Sequence, residues 1–266
     1  NKMDREGADF YGTLEEIRNR LDAHPIALQI PVGAGPPHLD GAFRGIVDLI
    51  AMRYLTFTPE SHGAEVHDHD IPDDLAEDAE LWRGEMLNDL FNYDNELAEM
   101  MLAEEPIPVE LIQKAVRKAT LGEMIVPVLC GSALDFAGIQ PLLDAVAAYL
   151  PSPADMPPVQ GTQPKKKDAP TSRKPNVEEP FCGLVFKIQA DKHGDLHYVR
   201  VYSGELTAGS RVYNPLQDKK ENVTQLWHVQ ADRREQIQSV EAGDIVGVIG
   251  LRHSITGDTI CHPQHP

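Results

Sequence analysis

Three side chains at the start of this 266-residue chain, Asn1, Lys2 and Asp4, have the types and spacing to read a nucleobase. The tetrapeptide N-K-x-D supplies a carboxylate at Asp4, an ammonium on a long aliphatic stem at Lys2 and a carboxamide at Asn1. One carboxylate can accept from a ring N–H and an adjacent exocyclic amine together, a pair that guanine offers and adenine does not. Asp4 is therefore the specificity residue, Lys2 would lay its stem over the base, and Asn1 would brace the loop. Alone, such a tetrapeptide also reads as a polar turn capping a helix. Its usual partner, Gly131-Ser132-Ala133, lies far downstream. There the Ala133 N–H would meet the guanine carbonyl oxygen and Ser132 would hold the second loop. The guanine-contacting set is thus Asn1, Lys2, Asp4, Ser132 and Ala133.

No second chemistry is spelled out. A phosphate cradle needs G-x-x-x-x-G-K-[ST], and the chain has no such stretch. The glycine-bearing VGAGPP at residues 32–37 lacks the lysine and the hydroxyl, and its prolines remove donors, so it reads as a turn. His67-Asp68-His69-Asp70, with His62 nearby, has the alternation of a metal-binding strand, but a complete site needs three or four supported ligands. An acidic loop is the expectation, with no metal. Cys130, Cys182 and Cys261 have no C-x-x-C spacing and sit in or beside apolar runs, as reduced, buried thiols do.

The elements that must position these residues follow from periodicity. Leu14, Ile17 and Leu21 predict an amphipathic helix over 13–21. Residues 27–31, 43–50 and 54–57 read as short strands. Pro72 precedes a long helix, from residue 74 to about 101, with Leu75, Ala79, Trp82, Met86 and Leu90 on one face and Asp73 or Asp74 as N-cap. A helix over 109–121 follows Pro108, a strand covers 125–130, and a helix over 140–150 packs Leu142, Leu143, Val146 and Tyr149 before Pro151. Residues 151–179 carry seven prolines and the run Lys165-Lys166-Lys167, and read as an exposed linker. From Phe181 onward, alternation replaces helical spacing: strands over 181–189, 196–203, 211–214, 222–229, 244–251 and 258–261, with glycine turns, predict an antiparallel barrel.

Charge is uneven. Residues 1–150 hold 28 acidic and 10 basic side chains, residues 151–177 hold 2 and 5, and residues 178–266 hold 12 and 9. The acidic surplus therefore lies in the first segment, which disfavours direct binding of nucleic acid there and favours basic partners. No apolar run approaches the roughly 18 residues of a membrane span, and nothing at the start resembles a cleavable signal, so a cytoplasmic location without membrane contact is expected.

Several stretches in order, NKMDREGADF, QIPVG, FRGIVDLI, PVLCGSALDFAGIQPLLDAVAAYLPSP, LVFKI, YVRVYSGEL and AGDIVGVIGLRHSITGDTI, resemble bacterial elongation factor G. The resemblance implies a multidomain α/β plus β fold: a partial P-loop-type GTPase α/β domain with an α+β insertion, then an antiparallel translation-factor β-barrel. It implies the C-terminal part of the GTPase domain at 1–30 and 119–150, a G′-type insertion at 31–118, a linker at 151–178 and a domain II barrel at 179–266. The implied function is that of a ribosome-dependent translational GTPase promoting tRNA and mRNA translocation, with GTP or GDP and Mg²⁺ as ligands of the parent protein. Tetracycline-resistance ribosomal protection proteins and the class-three release factor are the neighbouring alternatives, and a non-catalytic docking module is the alternative for the chain by itself. On this reading the chain is an internal piece, without P-loop or switches, inactive alone and holding no nucleotide tightly. The implied partners are small-subunit ribosomal RNA for the barrel and the basic C-terminal domain of the ribosomal stalk protein for the insertion. Glu77, Asp78, Glu80, Glu85 and Asp89, off the apolar stripe of the long helix, are the expected stalk-docking residues. One departure concerns the loop Asp191-Lys192-His193-Gly194, which is shorter than the family's usual D-P-F-V-G, so any contact carried over there is in doubt.

Overall fold

A computed structural model describes the chain except residues 64, 165, 191–193 and 232 and the side chains of Lys167 and Asp168. The backbone divides into two compact units, Asn1–Leu150 and Pro151–Pro266.

In the first unit, helix α1 (Phe10–Leu21) starts where the Asp9 carboxylate accepts the Gly12 N–H at 2.8 Å, three residues earlier than its apolar spacing predicts. Leu14 is buried, whereas Leu21, expected on the same face, is 71% exposed because the helix ends there in a left-handed Asp22. Strand β1 (Pro25–Ala27) pairs in parallel with β6 (Val126–Val128), while β2 (Gln29–Val32), β3 (Gly45–Asp48), β4 (Arg53–Phe57) and β5 (Val66–His69) form a separate antiparallel sheet. The strand predicted over 27–31 is therefore two strands in two sheets. Leu28, between them, keeps both ladders going: it donates to Val128 O and accepts from Leu49 N–H.

The long acidic helix is also two elements. Helix α2 (Asp73–Leu90) ends at a turn, and α3 (Asn95–Leu102) begins afresh at Asp94, whose carboxylate accepts from Glu96 and Leu97 N–H. The start of α2 is capped by neither Asp73 nor Asp74. Pro72 occupies the cap position, no side chain caps, and both aspartates lie inside the first turn, where their charge suits the helix dipole. Helix α4 (Val109–Leu121) matches its predicted bounds and buries Leu111, Ile112, Ala115, Val116 and Ala119. Helix α5 (Ile139–Tyr149) buries Tyr149 but leaves Leu142, Leu143 and Val146 between 43% and 63% exposed. Arg117 of α4 donates to Ala148 O of α5 at 2.6 Å. Met3, Ile26, Leu28, Ile46, Leu49, Leu90, Leu97 and Ile112 belong to one core.

The second unit contains β7 (Val159–Gln163) and β8 (Lys166–Arg173), an antiparallel hairpin in the stretch read as a linker. Most of its residues are polar, and the apolar Val159, Ala169 and Pro170 do not alternate, so alternation of apolar residues could not reveal it. The other strands are β9 (Cys182–Gln189), β10 (Leu196–Ser203), β11 (Glu205–Thr207), β12 (Arg211–Asn214), β13 (Lys219–Asn222), β14 (Gln225–Gln230), β15 (Arg233–Ile237), β16 (Ser239–Glu241), β17 (Ile245–Ile249) and β18 (Thr259–Cys261). Eight of them pair antiparallel in the order β13-β12-β18-β9-β10-β17-β14-β15, and β11 pairs with β16. Val185, Val199, Val201, Val212, Leu226, Val246, Val248 and Ile260 fill the core beneath them. The predicted strand 222–229 is broken at Val223-Thr224, where Val223 N–H donates to Ser210 O and Thr224 N–H to Ile249 O. Residues 191–193, singled out for their shortened loop, lie outside the described residues, as does Lys165 of the basic run. Among the described residues, no helix is long and apolar enough to cross a membrane.

Candidate functional site

The two loops proposed to read a base meet. Asn1 Oδ1 accepts from Lys2 N–H at 2.7 Å and from Ala133 N–H at 3.0 Å. Met3 N–H donates to Gly131 O at 3.1 Å, and the Met3 side chain, 4% exposed, anchors the loop in the core. Lys2 stands at φ +69°, a left-handed conformation that costs a lysine energy and is held by its neighbours' bonds, including Arg5 N–H to Lys2 O at 3.1 Å. Lys2 is exposed and Asp4 is half-buried.

The second loop is built for rigidity. Ser132 is fully buried, exchanges both backbone hydrogen bonds with Ala137 at 2.9 Å, and through Oγ bonds the Asp135 carboxylate and accepts the Asp135 N–H, each at 3.3 Å. A Cβ on Gly131 would lie 2.5 Å from Ala137 O, so this crossing requires glycine. Ser132 thus ties residues 132–137 of this loop together. Ala133 N–H is engaged by Asn1, so any ligand carbonyl placed there would have to take over or share that bond. A cleft of about 330 Å³ opens beside Asn1 and Lys2, lined also by Arg5, Asp9, Val128 and Cys130, but Asp4, Ser132 and Ala133 do not line it.

A third segment, missed by motif reasoning, braces the first loop. In the turn at 32–37, Gly35 N–H donates to Met3 O at 2.8 Å and Ala34 N–H to Gly41 O at 2.8 Å. These amides are committed to the fold, so the turn presents no nest of N–H groups to a phosphate. Together with the missing lysine and hydroxyl, this means that the chain's own residues do not fit a triphosphate with Mg²⁺. A glycine turn one residue away from a strand end was the available signal for the brace, but nothing in its spacing names its partner.

The five acidic residues of α2 do not share one face. Asp78, Glu85 and Asp89 lie on the side toward α1: the charge of Asp78, after burial, helps raise the Tyr11 phenol, Glu85 and Asp89 line the groove shared with Tyr11 and Leu14, and Asp89 lies 3.6 Å from His24 Nε2. Tyr11 stacks on Trp82 with ring centroids 5.2 Å apart along the same groove. Glu77 and Glu80 are exposed away from that stripe.

The His67–Asp70 segment was expected as a loop, but residues through His69 form edge strand β5. His67 and His69 each bond a threonine on β4 or just after it, Thr58 at 2.8 Å and Thr56 at 2.9 Å, while Arg53 pairs with Asp68 at 2.6 Å and with Asp70. Cross-strand pairing explains the alternation without a metal. Burial pushes the Cys130 and Cys261 thiols up to about 12 and raises that of Cys182, so all three free cysteines are poor nucleophiles at neutral pH.

Residues 1–152 match the family model described as the elongation factor Tu GTP binding domain, and residues 180–262 match elongation factor G domain 2. Curated proteins named elongation factor G from Salinibacter ruber and Aquifex pyrophilus are 44% and 45% identical across the whole chain, which covers 37% of each. That of Thermotoga maritima is 44% identical, with 38% of it covered. The chain thus spans little more than a third of the length of these relatives. A crystal structure of a Thermus thermophilus protein superposes over 98% of this chain and 35% of its own, with a TM-score of 0.71 at 22% identity, a likeness of fold alone.

Proposed function

Because the chain belongs to the elongation factor Tu GTP-binding domain family, we propose that it supplies the guanine-reading end of a translational GTPase of the elongation factor G type. The observation that supports this is the Asn1–Ala133 hydrogen bond beside the Met3–Gly131 bond, which brings both base-reading loops together. Asp4 would then accept from the guanine ring N–H and amine, Lys2 would cover the base, Asn1 would brace the loops, and Ala133 N–H would take the carbonyl oxygen. Ser132 would hold that loop. In the whole protein, GTP with Mg²⁺ would be hydrolysed on the ribosome in the cytoplasm, driving tRNA and mRNA movement. This chain contributes no phosphate cradle, so base contacts alone give affinities of roughly millimolar or weaker.

The assignments at finer scale belong to the same proposal. Residues 1–30 and 119–150 would be GTPase-domain sequence, 31–118 the insertion, 151–178 the link, and 179–266 a second domain whose sheet closes as a barrel against small-subunit ribosomal RNA. The insertion would meet the basic C-terminal domain of the stalk protein through α2. Glu77 and Glu80, exposed and off the α1 groove, are the best placed of the five acids for that contact.

The test is an NMR titration of the full chain with guanosine and with adenosine. The Ala133 amide should shift saturably with guanosine only, and the shift should vanish in Asp4→Asn. Equal responses to both nucleosides would refute the guanine reading. For docking, Glu77→Lys with Glu80→Lys should weaken binding to the stalk C-terminal domain at low salt, and unchanged affinity would remove α2 from the interface.

A further inference from the structure

Two of the three cysteines face each other across a strand pair. In β18 against β9, Cys261 stands directly opposite Cys182, so both side chains leave the sheet on the same face. The ladder's hydrogen bonds fix the kind of pair. Val185 N–H donates to Asp258 O and His262 N–H to Phe181 O, each at 2.9 Å, so 185–258 and 181–262 are hydrogen-bonded positions. Bonded and non-bonded pairs alternate along an antiparallel ladder, which makes 182–261 a non-hydrogen-bonded pair, where Cα atoms approach to about 4.5 Å and side chains stand closest. A disulfide spans Cα separations of about 4.4–6.8 Å, so the backbone spacing already suits one. Val185 and Ile260 of the same strands belong to the core, which puts the cysteines on the opposite face. There Cys182 is half-buried and Cys261 is buried. The Cys182 thiol is near enough for its charge to raise Cys261 further, and the Arg173 guanidinium of β8 is near enough to both to oppose the effect of burial. Cys261 Sγ is turned toward Tyr213 O at 3.5 Å, a weak thiol contact that a rotation about χ1 exchanges for Cys182.

We propose that Cys182 and Cys261 are a dithiol that a peroxide closes to a cross-strand disulfide and that a small thiol reopens. The Cys182 sulfur, the more exposed of the two, attacks hydrogen peroxide as thiolate and breaks the O–O bond. A sulfenic acid forms, and the departing hydroxide takes up the thiol's proton as water. The Cys261 sulfur then displaces the sulfenic oxygen as a second water, so two thiols and one peroxide give one disulfide and two waters. Burial keeps both thiols largely protonated, so closure is slow at neutral pH and answers an excess of peroxide. Strand β18 has three residues and meets β12 at one pair, Tyr213 with Cys261, so a bond from Cys261 to β9 pins it where its two neighbours hold it. The closed loop takes in residues 182–261, most of the second unit, and restricts its unfolded state.

The experiment treats the full chain with hydrogen peroxide, blocks the remaining thiols with N-ethylmaleimide and digests without reductant for mass spectrometry. A peptide pair joined through Cys182 and Cys261, two hydrogens lighter than the sum of its parts and released by dithiothreitol, is expected. The oxidised chain should also melt several degrees higher, a gain that dithiothreitol abolishes. A second measurement needs no oxidant and no variant. Phenylarsine oxide, whose arsenic takes two neighbouring thiolates, should add once to the wild-type chain by intact mass, and Cys182→Ser should remove the adduct. Cys182 carried to sulfinic acid while Cys261 stays reduced would overturn the proposal, as would disulfides between copies of the chain in place of the internal bond. Absence of the arsenical adduct on the wild type would overturn it as well, because the two sulfurs would then not meet in the folded chain.

Discussion

Ala133 donates its N–H to Asn1 Oδ1 at 3.0 Å, which ties together loops 132 positions apart in sequence. The same oxygen accepts from Lys2 N–H, so one carboxamide fixes both the left-handed turn at Lys2 and its spacing from the second loop. Met3, between Lys2 and Asp4, completes the junction from below by donating to Gly131 and accepting from Gly35. The junction is therefore a three-segment structure.

Asn1→Ala removes an acceptor shared by two N–H groups. With a net value of about 1 kcal/mol per hydrogen bond, hydrogen exchange at the Ala133 amide should accelerate about fivefold. NMR-detected exchange measures this, and an unchanged rate would show that the bond contributes nothing in solution.

Gly131→Ala places a methyl 2.5 Å from Ala137 O, a backbone atom that cannot swing aside. The crossing between positions 131 and 137 should open, with a loss of about 1–3 kcal/mol in stability and of guanosine-dependent shifts at Ala133. Ala133→Gly, which leaves the crossing intact, should retain those shifts.

Asp94→Ala tests the start of α3. Burial by itself would raise the Asp94 carboxyl, but the Leu97 N–H and the Lys118 ammonium, 3.4 Å away, outweigh it and hold the group below its ordinary value. Its contribution is therefore complete above the unfolded pKa of about 3.9 and is lost as pH falls through the lower folded value. The variant should lose about 1–2 kcal/mol at pH 7, and the gap to wild type should close in acid. A gap independent of pH in denaturant titrations would show that charge plays no part in the cap.

Glu221 is the buried hub of the second unit. Its carboxylate accepts from Arg252 N–H, His253 N–H and Ser254 Oγ, and Ser254 Oγ in turn accepts from Asn214, which also donates to Asp258. Glu221→Ala strands three donors at once and should cost about 3 kcal/mol or more, whereas Glu221→Gln keeps an acceptor and should cost less. Equal Tm values for the two variants would mean that the network is not what holds this corner.

Helix α4 was legible to the residue, because Leu111, Ile112, Ala115, Val116 and Ala119 repeat with the helical period and Pro108 marks the start. The break between α2 and α3 was not, because the apolar stripe runs past Leu90 while the interruption depends on Asp94 turning its side chain to its own backbone. Strands β7, β8 and β15 carry mostly exposed polar residues, so their ladders left no alternation to detect.

The residues proposed to read guanine stand out by type, since Asp4, Lys2 and the Gly131-Ser132-Ala133 turn are short motifs whose chemistry is local. The acidity of α2 was equally readable, but its division into a groove-lining stripe and the outward Glu77 and Glu80 depends on where α1 packs. The residue identities and the helical and strand periods, and hence the family, were set by the sequence alone. The meeting of Asn1 with Ala133, the brace from Gly35 to Met3 and the juxtaposition of Cys182 with Cys261 were decided by the tertiary structure. A backbone hydrogen bond between distant segments uses groups that every residue carries, and so leaves no signature in residue type.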